Sequence, residues 1–157
     1  MINSNELNDY SNKVYEYLKK NNSKLLENIS LQPSDFGKNH IFIELRSKNK
    51  NSSSNLYFSS ENNELTVGFD GYHCHFDSYS DQDFKEEIKI ALDYFYKILS
   101  EELFVVCAGG GTTTLLTNQE IDIIESGQTL EKFDYDCITY YITSLSGDHD
   151  RIIKNTN

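Results

Sequence analysis

An α+β fold, mainly antiparallel, follows from three features of this 157-residue chain. Helical and strand periodicities occupy separate blocks, and the connections between strand-like blocks read as antiparallel. One proline and eight glycines exclude a loop-dominated chain. The length predicts one domain, residues 1–157, able to bury roughly 70% of its unfolded surface. The expected architecture is a sheet of about five to six strands with two principal helices packed on one face.

Asn5–Lys20 opens the chain as a helix, because Leu7, Tyr10, Val14 and Leu18 recur at helical spacing and lysines gather at the C-terminal end. A short helical turn over Ser23–Leu31 precedes the stop at Pro33 and Gly37. His40–Arg46 alternates as a strand, and the Asn/Ser/Lys run Lys48–Asn55 reads as an exposed loop. Leu56–Ser60 and Glu64–Asp77 complete a three-stranded meander. Gly68 and Gly71 in its last strand mark a bulge or a close backbone approach.

The clearest helix follows. Ser80 or Asp81 can cap it, and Phe84, Ile88, Ala91, Leu92, Phe95, Ile98 and Leu99 trace one apolar stripe. Leu103–Ala108 and Thr112–Thr117 form a hairpin around Gly109–Gly111. That glycine run lacks the Gly-Lys-Ser/Thr of a phosphate-binding loop. Asn118–Ser126 is a short acidic helix ended by Gly127, and Tyr135–Leu145 a long β-branched and aromatic strand.

Charge divides the functional classes. The net charge is −11, yet residues 1–60 carry +2, residues 61–102 carry −8 and residues 118–150 carry −7. The acidity belongs to the folded C-terminal two thirds. It repels nucleic acid and anionic lipid and attracts basic partners, so neither direct nucleic-acid binding nor membrane association is expected. Cys74, Cys107 and Cys137 are widely separated within apolar segments and read as small core residues in a reducing compartment. The polar N-terminus is no signal peptide, and the longest apolar run, Leu103–Ala108, is too short for a span, so a soluble cytoplasmic product is expected.

The chemistry-bearing segment is Glu64–Asp77, ELTVGFDGYHCHFD, in which His73, His75 and Asp77 share one face of a strand. That spacing can grip a metal ion or a basic protein surface, or serve only as a polar edge. The metal alternative is a small metal-binding protein or metal-dependent enzyme built on His73 and His75, with Asp77, His40 and His149 as further ligands. Cys74 is a poor nucleophile, since its two neighbouring histidines face away from it. The carboxylate pairs Glu86/Glu87 and Glu101/Glu102 diverge on a helix. No acid–base constellation emerges, so a non-enzymatic protein without cofactor or assigned metal ligands is expected. Ser144–Arg151, SLSGDHDR, closes the last long strand, and its turn should present Asp148, His149 and Asp150 at an exposed tip.

VGFDGYHCHFD, followed by SLSGDHD after an aromatic strand, resembles the bacterial immunity proteins of polymorphic and contact-dependent toxin systems. The matching positions are Phe69, Asp70, Tyr72, His73, His75, Phe76 and Asp77, then Ser144, Ser146, Gly147 and Asp150. The chain departs from the pattern at Leu145, where related sequences carry tryptophan. The resemblance implies a small cytoplasmic protein that binds and neutralises a cognate toxin domain, a basic nuclease being the partner an acidic surface fits. Asp70, His73, His75, Asp77, Asp148, His149 and Asp150 are the candidate toxin-binding residues.

Overall fold

The computed structural model describes residues 2, 4–34, 37–76, 84–109, 111–133 and 139–155. Asp77, the expected cap at Ser80 or Asp81, and the segment 134–138 with Cys137 lie outside them. The chain divides into two compact units, one of residues 1–46, 56–68 and 73–95, the other of residues 47–55, 69–72 and 96–157. The α+β class is as expected. The strands form two antiparallel sheets of five and four strands, where a single sheet was expected.

The first unit is built on the five-stranded sheet, in the order β1 (Ile29–Pro33), β2 (Asn39–Leu45), β3 (Leu56–Ser59), β4 (Leu65–Phe69) and β5 (Tyr72–Phe76). Sequence order equals spatial order because every connection is a return of the chain upon itself. Helix α1, Asp9–Asn21, starts where the Asn8 side chain accepts the Ser11 amide hydrogen at 2.7 Å. It buries Val14, Tyr15 and Leu18, while the core of the sheet is Ile41, Ile43, Leu56, Phe58, Leu65 and Val67. A buried hydroxyl pair, Ser11 and Ser60 at 2.7 Å, ties α1 to the end of β3, and the Ser60 hydroxyl also accepts the Ile41 amide at 3.0 Å. Helix α2, Phe84–Leu99, sets the Phe95 ring edge-on against Phe58 of β3 at 6.3 Å. Ile88, Ala91 and Leu92 of the expected stripe are buried as well.

Two expectations change in this unit and a third holds. Residues 29–31 are strand, not helix: the turn over Ser23–Asn28 is a 3-10 helix that ends as the chain pairs with β2. Partners on β2 outweigh a weak local helical preference. The long strand over Glu64–Asp77 is a hairpin, β4 and β5, around the two-residue turn Asp70-Gly71, with Asp70 at φ +54°. Aspartate tolerates that left-handed conformation better than most residues. Gly68 is the close approach that was expected, since a Cβ there would lie 2.4 Å from the Tyr57 ring of the neighbouring strand.

The second unit is built on the four-stranded sheet, in the order β7 (Thr113–Leu116), β6 (Phe104–Ala108), β8 (Thr139–Thr143) and β9 (Arg151–Lys154). The β6–β7 turn closes through the Gly111 amide donating to Ala108 at 2.8 Å, with Gly111 at φ +91°. Helix α3, Asn118–Glu125, begins with a reciprocal cap between Thr117 and Glu120 and places Ile121 and Ile124 in a cluster with Phe104, Val106, Leu116, Phe133, Tyr140, Ile142 and Ile153. Strand β9 was not foreseen, because four residues with two isoleucines between two basic ends carry little periodicity. Cys74 and Cys107 are free thiols and half-buried, where core positions were expected: Cys74 shares the more buried face of the edge strand β5 with Tyr72 and Phe76, and Cys107 lies near the end of β6.

Candidate functional sites

The histidines sit on β5, the edge strand of the five-stranded sheet. Its burial alternates, with Tyr72, Cys74 and Phe76 half-buried and His73 and His75 exposed, so both imidazoles project from one face. Their rings meet edge to face with centroids 5.1 Å apart. His75 is fixed from below: its Nδ1 lies 2.9 Å from the Glu64 carboxylate and 3.0 Å from the Thr66 hydroxyl. A carboxylate only accepts, so Nδ1 is the donor in this contact, and Nε2 is the ring nitrogen that neither Glu64 nor Thr66 engages. Among the described residues no three His, Cys, Asp or Glu side chains gather as a metal site. His40, a possible further ligand by sequence, is buried in β2 with no partner for Nδ1. Burial pushes its imidazole below the ordinary value of 6.5, against the opposing charge of Glu61.

The second site is a polar knot within the other unit. The run 47–55 is not the plain exposed loop its composition implies, for Asn49 is only 7% exposed. Its side-chain amide donates to both oxygens of Asp150, at 3.0 and 2.8 Å, and to the Ser144 carbonyl at 2.8 Å. The Leu145 carbonyl accepts the Ser47 hydroxyl at 2.8 Å and the amides of Lys48 and Asn49 at 3.2 Å each. The Ser144 hydroxyl donates to Asp150 at 3.2 Å and accepts the amides of Gly147 and His149. Gly147 at φ +86° keeps the turn tight, and a Cβ on it would meet Asn49 at 3.2 Å.

This knot redistributes the expected binding residues. Asp150 is turned inward, accepting the Ser144 amide at 2.8 Å as well as Asn49, so it is not at the exposed tip where the turn was expected to place it. Buried donors need acceptors, and this carboxylate serves the Ser144 amide and hydroxyl and the Asn49 side chain together. Asp70 likewise serves the loop: its carboxylate accepts the Ser53 amide at 2.7 Å and hydroxyl at 2.9 Å, and its carbonyl the Ser54 hydroxyl at 3.1 Å. Asp148 and His149 are exposed as expected. His149 Nε2 stands 3.4 Å from Glu101, whose other oxygen accepts the Ser146 amide at 2.6 Å. Asp77 belongs to the residues outside the description.

Sequence reasoning missed Asn49, Glu64 and Thr66, and named Ser144 and Glu101 without the roles the structure gives them. The signal for Ser144 was present in the Ser, Gly and Asp spacing of SLSGDHD, which favours side-chain-to-backbone turns. Glu101, at φ +58°, holds a left-handed conformation whose cost is offset by its grip on the 146–149 turn. Comparison with family models, curated proteins and solved structures gives no match to this chain. No described helix is long and apolar enough to cross a membrane.

Proposed function

We propose that this chain is a cytoplasmic immunity protein that binds and neutralises a cognate bacterial toxin domain, a basic nuclease, and performs no catalysis itself. The observation that carries the reading is where the acidity lies. In the second unit Glu102, Asp122, Glu125, Glu131 and Asp148 are exposed, against Lys48, Lys50 and Lys154, while Lys132 and Arg151 are already held by Glu120 at 2.6 Å and Glu125 at 2.7 Å. A rigid surface of this sign raises the local concentration of a basic partner and speeds docking, with affinity left to buried anchors.

The resemblance of VGFDGYHCHFD and SLSGDHD to immunity proteins supports the same reading, with a refinement of roles. Ser144, Gly147 and Asp150 fasten the 47–55 loop, so that motif maintains the surface and leaves contact to Asp148 and His149. Co-expression with the toxin domain encoded beside this chain tests the proposal. Restored growth and a complex that co-purifies are expected; continued toxicity with no complex overturns it.

A further inference from the structure

We propose that His73 and His75 form a two-histidine chelate for an imidazole-preferring divalent ion of the zinc, copper and nickel class, with Glu64 as its positioning residue. The inference is independent of toxin binding. A zinc ion bound by two imidazoles at about 2.0–2.1 Å and the tetrahedral angle requires ring centroids roughly 5 Å apart. The observed separation is 5.1 Å. Both rings are exposed on one face of an edge strand, so a fixed pleat sets their spacing. Turning the His73 ring about its broad terminal torsion re-aims its nitrogens without moving its centre.

His75 is prepared for this role by its surroundings. The Glu64 carboxylate at 2.9 Å from Nδ1 favours the tautomer that leaves Nε2 as the electron-pair donor. Thr66 at 3.0 Å fixes the ring's orientation. Since no third donor converges among the described residues, the other coordination positions belong to water or to a side chain of a bound partner. Hard, oxygen-seeking magnesium would find one carboxylate here, Glu64, and that one is engaged by His75.

Titration of the chelator-treated chain with zinc chloride by calorimetry tests the site. One saturable zinc per chain is expected for the wild type, no response to magnesium, and loss of saturation in His73→Ala and in His75→Ala. Both substitutions are at exposed positions and should leave the unfolding midpoint unchanged. Glu64→Gln should weaken zinc about tenfold or more. In the zinc-free protein it should also shift the nitrogen-15 signals of His75 from the Nδ1-protonated form to a tautomer mixture. Saturable binding that survives His73→Ala with His75→Ala overturns the site, as does its absence in the wild type. Unchanged affinity and tautomer in Glu64→Gln overturn the positioning role.

Discussion

Removing the Asp150 carboxylate should destabilise the chain far more than a surface charge would. Asp150→Ala deprives the Ser144 amide, the Ser144 hydroxyl and the Asn49 side-chain amide of their shared acceptor. Ser144 is 1% exposed and Asn49 7%, so water compensates poorly for what is lost. Hydrogen bonds to a charged group contribute about 1.5–3 kcal/mol each, and bonds sharing one carboxylate do not add. A loss of about 3 kcal/mol is therefore expected. Asn49→Ala should cost about 2 kcal/mol, since it leaves the Ser144 carbonyl and Asp150 short of a donor. The two changes act on one network, so the double variant should lose less than the sum by about 1 kcal/mol or more. Urea unfolding followed by circular dichroism measures all three. A loss under about 0.5 kcal/mol for Asp150→Ala, the range of ordinary surface substitutions, would falsify the fastener argument.

Three further outcomes are expected. Gly68→Ala forces a methyl into the Tyr57 ring and should cost about 1–3 kcal/mol by overpacking, which the same unfolding assay reads. His40 is neutral when folded, its pKa being held below 6.5 mainly by burial, so the unfolded chain binds the proton more readily. Its share of stability is complete above the unfolded value and is lost as pH falls from there through the folded value. His40→Leu should shrink the drop in stability between pH 7.5 and 5, and an unaltered drop would remove His40 from the account. Charge reversal at Asp148 and Glu131 should slow toxin association and weaken the complex about tenfold at low salt, with the difference fading at high salt, as measured by stopped-flow mixing.

The elements with strong periodicity were legible in the sequence: α2 from its seven-residue stripe, β6 and β7 from apolar runs about a glycine turn, and α3 from Gly127 and its first turn. What escaped was set by distant partners. Strand β1 exists because Ile29, Leu31 and Pro33 find register with Ile43, Ile41 and Asn39, which local pattern does not encode. The hairpin at Asp70-Gly71 was legible, since an Asp-Gly pair between apolar alternations signals a two-residue turn; it was hidden by reading the segment as one long strand. Of the candidate site, the shared face of His73 and His75 follows from strand geometry alone, whereas Glu64 and Thr66 reach His75 only because β4 pairs with β5. The burial of Asn49 depends on residues about a hundred positions away, beyond any local signal.

Asp148 and Asp150 lie two residues apart in one turn, yet the same substitution at each tests a different proposition. The Asp148 side chain is exposed, and only its backbone amide is engaged, by the Ser146 hydroxyl at 3.0 Å. Replacing that side chain leaves the knot intact, so any weakening of a complex reports direct contact or long-range attraction. Asp150 acts through Asn49 and Ser144, and its loss releases the 47–55 loop before any partner arrives. Reduced binding in Asp150→Ala would therefore coincide with reduced stability, and Asn49→Ala, which changes no charge, should reproduce part of it. If Asn49→Ala lowers stability but binds the toxin at full strength while Asp150→Lys does not, the Asp150 charge itself faces the partner and the fastener is not its main role. Equal losses at Asn49 and Asp150, with Asp148 sensitive to salt alone, place the 47–55 loop within the binding surface.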